Sequence, residues 1–333
     1  MELAVHKSVK VLEIETTNIC NASCPQCLRT NETGSIVSEY VDELDFDAVV
    51  RNIPINFWQT LTEINFNGNT GDNIAHPEIQ SIVSKVIGLA PQAQIKISTN
   101  GSLRNTTWWT DFGMLLANTN CSVIFGIDGL DDTHSLYRVG TSWQRIIDNA
   151  SAFITAGGSA VWQMIPFKHN QHQIDACRGL SKQLGFKKFL LRSENRFPAN
   201  QNWQPVFFKQ KQTHIIESSD MKITDSICQS MEQLDATRKI KCKSVEVNWM
   251  AIYADGTVWP CCFLMGWHKS PHQNRFYQLI KYHFEKILKL DFSTMNLYTN
   301  RLEDIVNNDI WQKRYPDSFK YKPNPVCVQQ CSL

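Results

Sequence analysis

The feature that most restricts the fold is a repeated strand-then-helix signal that fills about the first 190 residues. VLEIET from Val11 alternates apolar and polar side chains, as a strand does. Asp45 is placed to cap a short helix, FDAVVRNI. LTEINFN from Leu61 reads as a second strand and leads into the helix PEIQSIVSKVIGL. QIKIS from Gln94 precedes a helix from Trp108 to Leu116, and CSVIFGID precedes the helix WQRIIDNASAFITA. AVWQMIPF precedes a helix from His172 to Leu184, and FKKFLLR is a sixth strand. Short strands separated by helices of about ten residues imply βα units and a parallel sheet. The class is α/β. Six such units fit either a partial barrel or an open doubly wound sheet, and periodicity does not choose between them.

The character changes after Arg192. SENRFPANQNWQPV is polar and Pro-bearing, and residues 201–241 read as a linker between a domain at 1–200 and a small α+β domain at 242–333. In the latter, VEVNWMAIYADGTVWPCC reads as two strands around the turn Ala254-Asp255-Gly256. An amphipathic helix follows, with Phe276, Leu279, Ile280, Phe284, Ile287 and Leu288 on one face. A last helix from Leu302 to about Arg314 leads into the Pro-rich tail PNPVCVQQCSL.

Composition narrows the partners. At 42% hydrophobic and 20% charged, the 333 residues bury a substantial core. Lys and Arg total 33 against 32 Asp and Glu, which argues against a polyanion such as bulk nucleic acid. No run of about 18 apolar residues is present to span a membrane. The start MELAVHKSVKVLEIE lacks the apolar core of a signal peptide, so a cytoplasmic chain is expected. In that compartment the 11 cysteines, clustered near both ends, read as metal ligands or catalysts rather than disulfides.

Cys20-Asn-Ala-Ser-Cys24-Pro-Gln-Cys27 follows the first strand directly, at the end where parallel α/β folds place their chemistry. Three thiolates so close together suit one metal centre. A [4Fe–4S] cluster held by three cysteines keeps one iron open, whereas structural zinc usually closes with four ligands. The second group is Cys242 and Cys261, bracketing the hairpin, with Cys327 and Cys331 in the tail. Four thiolates also suit zinc, so a cysteine-rich zinc-binding scaffold without radical chemistry is the rival reading. Cys262 is expected to point away from Cys261 into the core. Cys121 and Cys177 read as buried small apolar residues, and Cys228 as a free thiol.

The first loop, together with the motifs after the next strands, resembles the radical S-adenosylmethionine (SAM) superfamily over roughly residues 9–192. The spacing Cys242, thirteen residues, Gly256, four residues, Cys261 resembles the SPASM/twitch extension of that group. The resemblance implies a partial (β/α)6 barrel of the radical SAM type with a small C-terminal twitch/SPASM-like domain. It implies that Cys20, Cys24 and Cys27 hold a [4Fe–4S] cluster whose open iron chelates SAM. Reduction then cleaves SAM to methionine and a 5′-deoxyadenosyl radical, which abstracts hydrogen from substrate. It assigns SAM contacts to Gly68, Asn69, Gly71 and Asp72, where glycine admits close backbone approach and a carboxylate suits the ammonium. Ser98, Thr99 and Asn100 match the ribose- and carboxylate-binding position. Asp128 ends the fourth strand inside the barrel, Arg138 pairs with the SAM carboxylate, and Gln163 points toward the ribose. Gln26 departs from the usual aromatic residue before the third cysteine. Cys242, Cys261, Cys327 and Cys331 are implied ligands of one auxiliary [4Fe–4S] cluster, although the final pair is CxxxC where CxxC is usual.

The expected function is therefore an oxidoreductase or maturase that abstracts hydrogen from a small molecule or a peptide. Its auxiliary cluster is expected to accept the substrate electron, to relay electrons or to hold structure, and flavodoxin or ferredoxin is the expected reducing partner. Only 19 residues precede Cys20, which lowers the expectation of a leader-dependent peptide. His169, His172, Arg192 and Glu194, near strand ends, are further candidates. Trp249, Trp259 and Trp267 are expected to screen the auxiliary site.

Overall fold

Strand order decides between the two architectures. The computed structural model describes residues 9–31, 33–36, 41–193, 197, 201–221, 240–268, 281–321 and 323–331. In it, β1 (Val11–Ile14), β2 (Glu63–Phe66), β3 (Gln94–Thr99), β4 (Cys121–Gly126), β5 (Ala160–Met164) and β6 (Lys188–Leu191) lie side by side in chain order, all parallel. A doubly wound sheet reverses its order at a switch point, whereas a barrel keeps winding one way. The second pattern is present, and β6 is left as an edge, so the barrel is open.

The helices follow from ordinary local chemistry. Asp45 caps α1 (Phe46–Arg51), its Oδ1 accepting from Ala48 N at 2.8 Å, a contact worth about 1 kcal/mol. Next come α2 (Ile55–Thr60), α3 (Ile79–Leu89), α4 (Thr106–Leu116), α5 (Asp131–Tyr137), α6 (Trp143–Thr155) and α7 (Ile174–Gln183). Ile82, Val83 and Val86 of α3, Trp109, Phe112 and Leu116 of α4, and Ile146, Ala150 and Phe153 of α6 are all buried in one core with the outer strand residues Ile64, Phe66, Ile97, Phe125 and Trp162.

The opposite face of the sheet is polar. Side chains alternate along a strand, so that face carries Glu13 and Glu15, Glu63 and Asn65, Lys96 and Ser98, and Gln163. Lys96 Nζ lies 2.6 Å from Glu63 Oε2, and Asn65 Nδ2 donates to Glu63 Oε1 at 2.8 Å. Parallel strands are usually apolar on both faces. A polar inner face is room kept for something other than core.

The C-terminal part is not a detached lobe. β9 (Trp249–Ile252) pairs in parallel with β1, and β10 (Val258–Trp259) pairs antiparallel with β9. The hairpin expected around Gly256 thus extends the barrel sheet into eight strands. Gly256 has φ +81°, and a Cβ there would meet the Tyr298 ring at 2.9 Å.

Four expectations change in detail. Within the stretch read as a linker, β7 (Trp203–Phe208) and β8 (Lys211–Glu217) form an antiparallel hairpin. Val206 and Ile216 are buried against Cys24, Tyr137 and Phe167, which supplies the apolar reason for order. Cys262 does not lie on a strand; it opens α9 (Cys262–His268), after α8 (Lys243–Val247). The last expected helix is broken: α10 (Leu302–Val306) is followed by a π-helical turn, Ile310–Arg314, and by α11 (Tyr315–Tyr321). The tail is itself a helix, α12 (Pro325–Cys331). Asn324 Oδ1 accepts from Val326 N at 3.0 Å, and Pro325 takes the first helical position, where no N–H is needed. Phe276, Leu279, Ile280, Glu194 and Cys228 lie outside the described residues. Among the described residues no helix is long and apolar enough to cross a membrane.

Candidate functional site

The C-terminal ends of β1 to β5 converge on the first cysteine loop. Cys27 N donates to Cys24 O at 3.0 Å, and Ala22 N approaches Cys20 Sγ at 3.4 Å. Cys24 is buried, and Cys20 and Cys27 are half-buried. The thiols are close enough to feel one another's charge. Burial pushes Cys20 up to about 12, and it pushes Cys24 up to about 11 although Arg138 pulls the other way. Thiols held this way stay protonated until a metal displaces the proton. From outside, Gln204 Nε2 of β7 donates to Pro25 O at 2.9 Å, and Gly34 sits so close to Phe207 that a Cβ would meet it at 2.7 Å. The β7–β8 hairpin therefore covers the loop.

The expected SAM-contacting residues gather at the same rim, but several are engaged with the scaffold. Asp72 is buried; its Oδ2 accepts from Thr99 Oγ1 at 3.0 Å and Asn100 N at 2.8 Å, and its Oδ1 from Ile74 N at 3.1 Å. It ties the end of β3 to the loop after β2, and its own N–H ties that loop to Ile19 O at 2.8 Å. Burial raises its carboxyl from the ordinary value. Gly71 is required by proximity, since a Cβ would fall 2.0 Å from Thr17 O. Gly68 has φ +66°, the left-handed region that glycine enters freely. Asn69 turns to Glu15, donating from N at 2.9 Å and from Nδ2 at 2.8 Å to Oε1. Asn100 Nδ2 reaches Asn21 Oδ1 at 2.9 Å and Cys20 Sγ at 3.5 Å. Ser98 remains half-buried on the polar face.

Asp128 is fully buried beyond the end of β4. Its Oδ1 accepts from Ile165 N, and its Oδ2 from Arg138 Nε, each at 2.6 Å. Arg138 also reaches the Cys24 thiol. Burial works against the guanidinium charge, yet Asp128 and Cys24 hold it cationic. Gln163 Oε1 accepts from Arg192 Nε at 3.1 Å. His169 stacks on Phe167 with ring centroids 5.4 Å apart, and burial lowers it to about 4, so it is neutral at pH 7.

Two residues escaped sequence reasoning. Glu15 is fully buried, and burial pushes it up to about 7 in spite of the Asn69 hydrogen bonds. Glu13, on the same face, is pushed by burial up to about 8 beside Cys262 and Trp249. Two acids at alternate positions of an otherwise apolar strand were the available signal.

The second cysteine group is also assembled. Cys242, Cys261 and Cys327 are buried and Cys331 half-buried. Their thiols interact electrostatically, and burial raises each of them. Cys327 and Cys331 lie four residues apart on α12, hence on one face. This accounts for CxxxC. Ser244 Oγ bonds Pro260 O, fastening α8 beside Cys261. Trp259, Trp311 and Tyr315 are buried around the site, whereas Trp249 is half-buried with its ring edge-on to Phe263 at 5.9 Å. The Trp267 side chain lies outside the described residues.

Among the described residues no three Cys, His, Asp or Glu side chains converge to grip a single metal ion. Zinc would draw its thiolates to about 2.3 Å from one point. A four-iron cluster takes one ligand per iron and spreads its cysteines farther apart. The three-thiol and four-thiol donor sets, each buried or half-buried and free of disulfides among the described residues, fit such clusters.

Residues 242–332 match the family model for SPASM, an iron-sulfur cluster-binding domain. No curated protein matches the sequence significantly. Among solved structures, SuiB of Streptococcus suis is similar with a TM-score of 0.51 at 14% identity, over 78% of this chain and 61% of that one. SuiB bound to precursor peptide SuiA gives 0.51 at 14%, over 96% and 76%. His6-tagged anSMEcpe with bound AdoMet gives 0.53 at 13%, over 97% and 86%. This chain thus spans less than two thirds of the first SuiB structure. At such identities the likeness is one of fold. By fold the chain is an open α/β barrel similar to SuiB and anSMEcpe, and its residues 242–332 match the SPASM iron-sulfur cluster-binding domain.

Proposed function

We propose that this protein is a radical SAM enzyme, with a [4Fe–4S] cluster held by Cys20, Cys24 and Cys27 and an auxiliary cluster held by Cys242, Cys261, Cys327 and Cys331. The observation that carries the reading is the seating of the three-cysteine loop at the rim where β1 to β5 end, above a polar inner sheet face. Bound there, the cluster and SAM supply one-electron cleavage chemistry that delivers a hydrogen-abstracting radical. The chain's own groups orient and exclude. Arg138 offers its cation beside Cys24, with its Nε committed to Asp128. Ser98 and Gln163 present polar groups on the inner face, the latter held by Arg192. The β7–β8 hairpin keeps water from the loop.

A peptide is the favoured substrate class, because SuiB has been solved with a precursor peptide and anSMEcpe with a peptide named Cp18Cys. A small molecule is the second substrate class. A one-electron donor of the flavodoxin or ferredoxin type serves as reductant, and a reducing cytoplasm suits the buried thiols. The auxiliary cluster is the proposed acceptor of the substrate electron.

The test is anaerobic reconstitution followed by iron analysis and a SAM-cleavage assay. About eight irons per chain and reductant-dependent 5′-deoxyadenosine are expected. Cys24→Ala should abolish deoxyadenosine and leave about four irons. Undiminished cleavage in that variant, or stoichiometric zinc in place of iron, overturns the reading.

A further inference from the structure

One hydroxyl group inside the C-terminal domain is directed at a cysteine. Tyr315 Oη lies 3.2 Å from Cys327 Sγ in a fully buried contact. The ring is fixed by Phe319, edge-on at 5.0 Å, and it walls an apolar cavity with Trp259, Phe284 and Trp311. Cys242 and Cys261 lie near enough to act on it electrostatically. Tyr315 is 2% exposed, so its phenol is largely screened from solvent.

In the metal-free protein either atom can donate. Once Cys327 ligates iron its sulfur has no proton left, so it only accepts. A phenol keeps its proton at neutral pH. The direction of the hydrogen bond is then fixed, from Tyr315 to sulfur. Hydrogen bonds to charged acceptors are about twice as strong as neutral ones. Reduction adds negative charge that the cluster shares with its sulfurs, so a donor favours the reduced state. Hydrogen bonding to sulfur is one of the levers that set cluster potentials.

We propose that Tyr315 is a positioning residue for the auxiliary cluster, donating to the Cys327 sulfur and raising the reduction potential of that cluster. The inference rests on the assignment of Cys242, Cys261, Cys327 and Cys331 as its ligands. Tyr315→Phe removes one oxygen and keeps the ring.

The experiment measures iron content and the midpoint potential of the auxiliary cluster, by spectroscopically monitored redox titration of the full chain. Wild type and Tyr315→Phe are compared in a Cys24→Ala background, so that one cluster is observed. Unchanged iron and a more negative midpoint are expected. The reduced-to-oxidised ratio at a fixed potential should fall about tenfold, about 59 mV for a one-electron couple. An unchanged midpoint with the cluster intact overturns the role of Tyr315 and leaves the ligand assignment standing. Absence of any cluster in the Cys24→Ala parent overturns the assignment itself. Should Tyr315→Phe lose the cluster, 3-fluorotyrosine at position 315, a stronger donor, must shift the midpoint upward; a midpoint that stays or falls overturns the role.

Discussion

Arg138 Nε sits 2.6 Å from Asp128 Oδ2, and its guanidinium also reaches the thiol of Cys24. One cation therefore serves the Asp128 carboxylate and a sulfur that becomes anionic on metal binding. Asp128 is fully buried, so removing its partner leaves a charge without compensation. Arg138→Met is expected to lower the unfolding free energy by about 3–5 kcal/mol. Urea melts of the metal-free protein check this, and a melt identical to wild type would show that the pair is not formed.

Gly71 passes Thr17 O with no room for a methyl group. Gly71→Ala must separate the loop after β2 from the cysteine loop, at about 1–3 kcal/mol for overpacking. Iron bound at the N-terminal site should fall with it. The comparison is Gly88→Ala, where a Cβ would meet nothing within 4 Å and the change should be neutral to stabilising.

Glu13 gives the fold a pH dependence. Its folded carboxyl holds a proton up to about 8, while its ordinary value is 4.5. Between those values the folded state binds more protons, so stability is complete below about 4.5 and drains away as pH rises through 8. Glu15, Glu63 and the Cys262 thiol face the same group, and each adds repulsion or hydrogen bonding that Gln would not titrate against. Glu13→Gln should flatten the profile and exceed wild type by about 2–4 kcal/mol at pH 8.5. Denaturant melts between pH 5 and about 8.5 read this directly. A variant that loses stability in parallel with wild type across that range would refute it.

Val206 is wholly buried between the β7–β8 hairpin and the cysteine loop. An unpaired carboxylate at that point should lift the hairpin away. Val206→Asp is expected to bleach the N-terminal cluster several-fold faster in air at unchanged initial iron loading. Equal bleaching rates would mean that the hairpin does not limit access.

The barrel was legible where the pleat alternates or the helix face is continuous, and all six of its strands were placed. The hairpin β7–β8 was not, for two reasons. Its turn puts Lys209 and Gln210 at φ +49° and +65°, without the Asn or Gly that normally marks such a turn. Pro205 inside β7 also reads as a break, although an edge strand tolerates it. The tail helix was hidden by its prolines, yet Asn324-Pro325 is a start signal once read as cap and first residue. The rim residues were found by type and place. Their individual duties were not, because a carboxylate such as Asp72 serves equally as a scaffold staple or as a ligand contact. In the structure three donors, Ile74 N, Thr99 Oγ1 and Asn100 N, surround it.

The pairing of β9 with β1 carries a consequence for how this molecule can be divided. Cutting after the barrel would not release a finished domain. It would uncover the whole hydrogen-bonding edge of β1 and bring Glu13 to the surface. A bare edge of that length is a template for other chains. Barrel and C-terminal segment are thus obligate neighbours in folding, and selection that loosens one is felt by the other through a single shared strand.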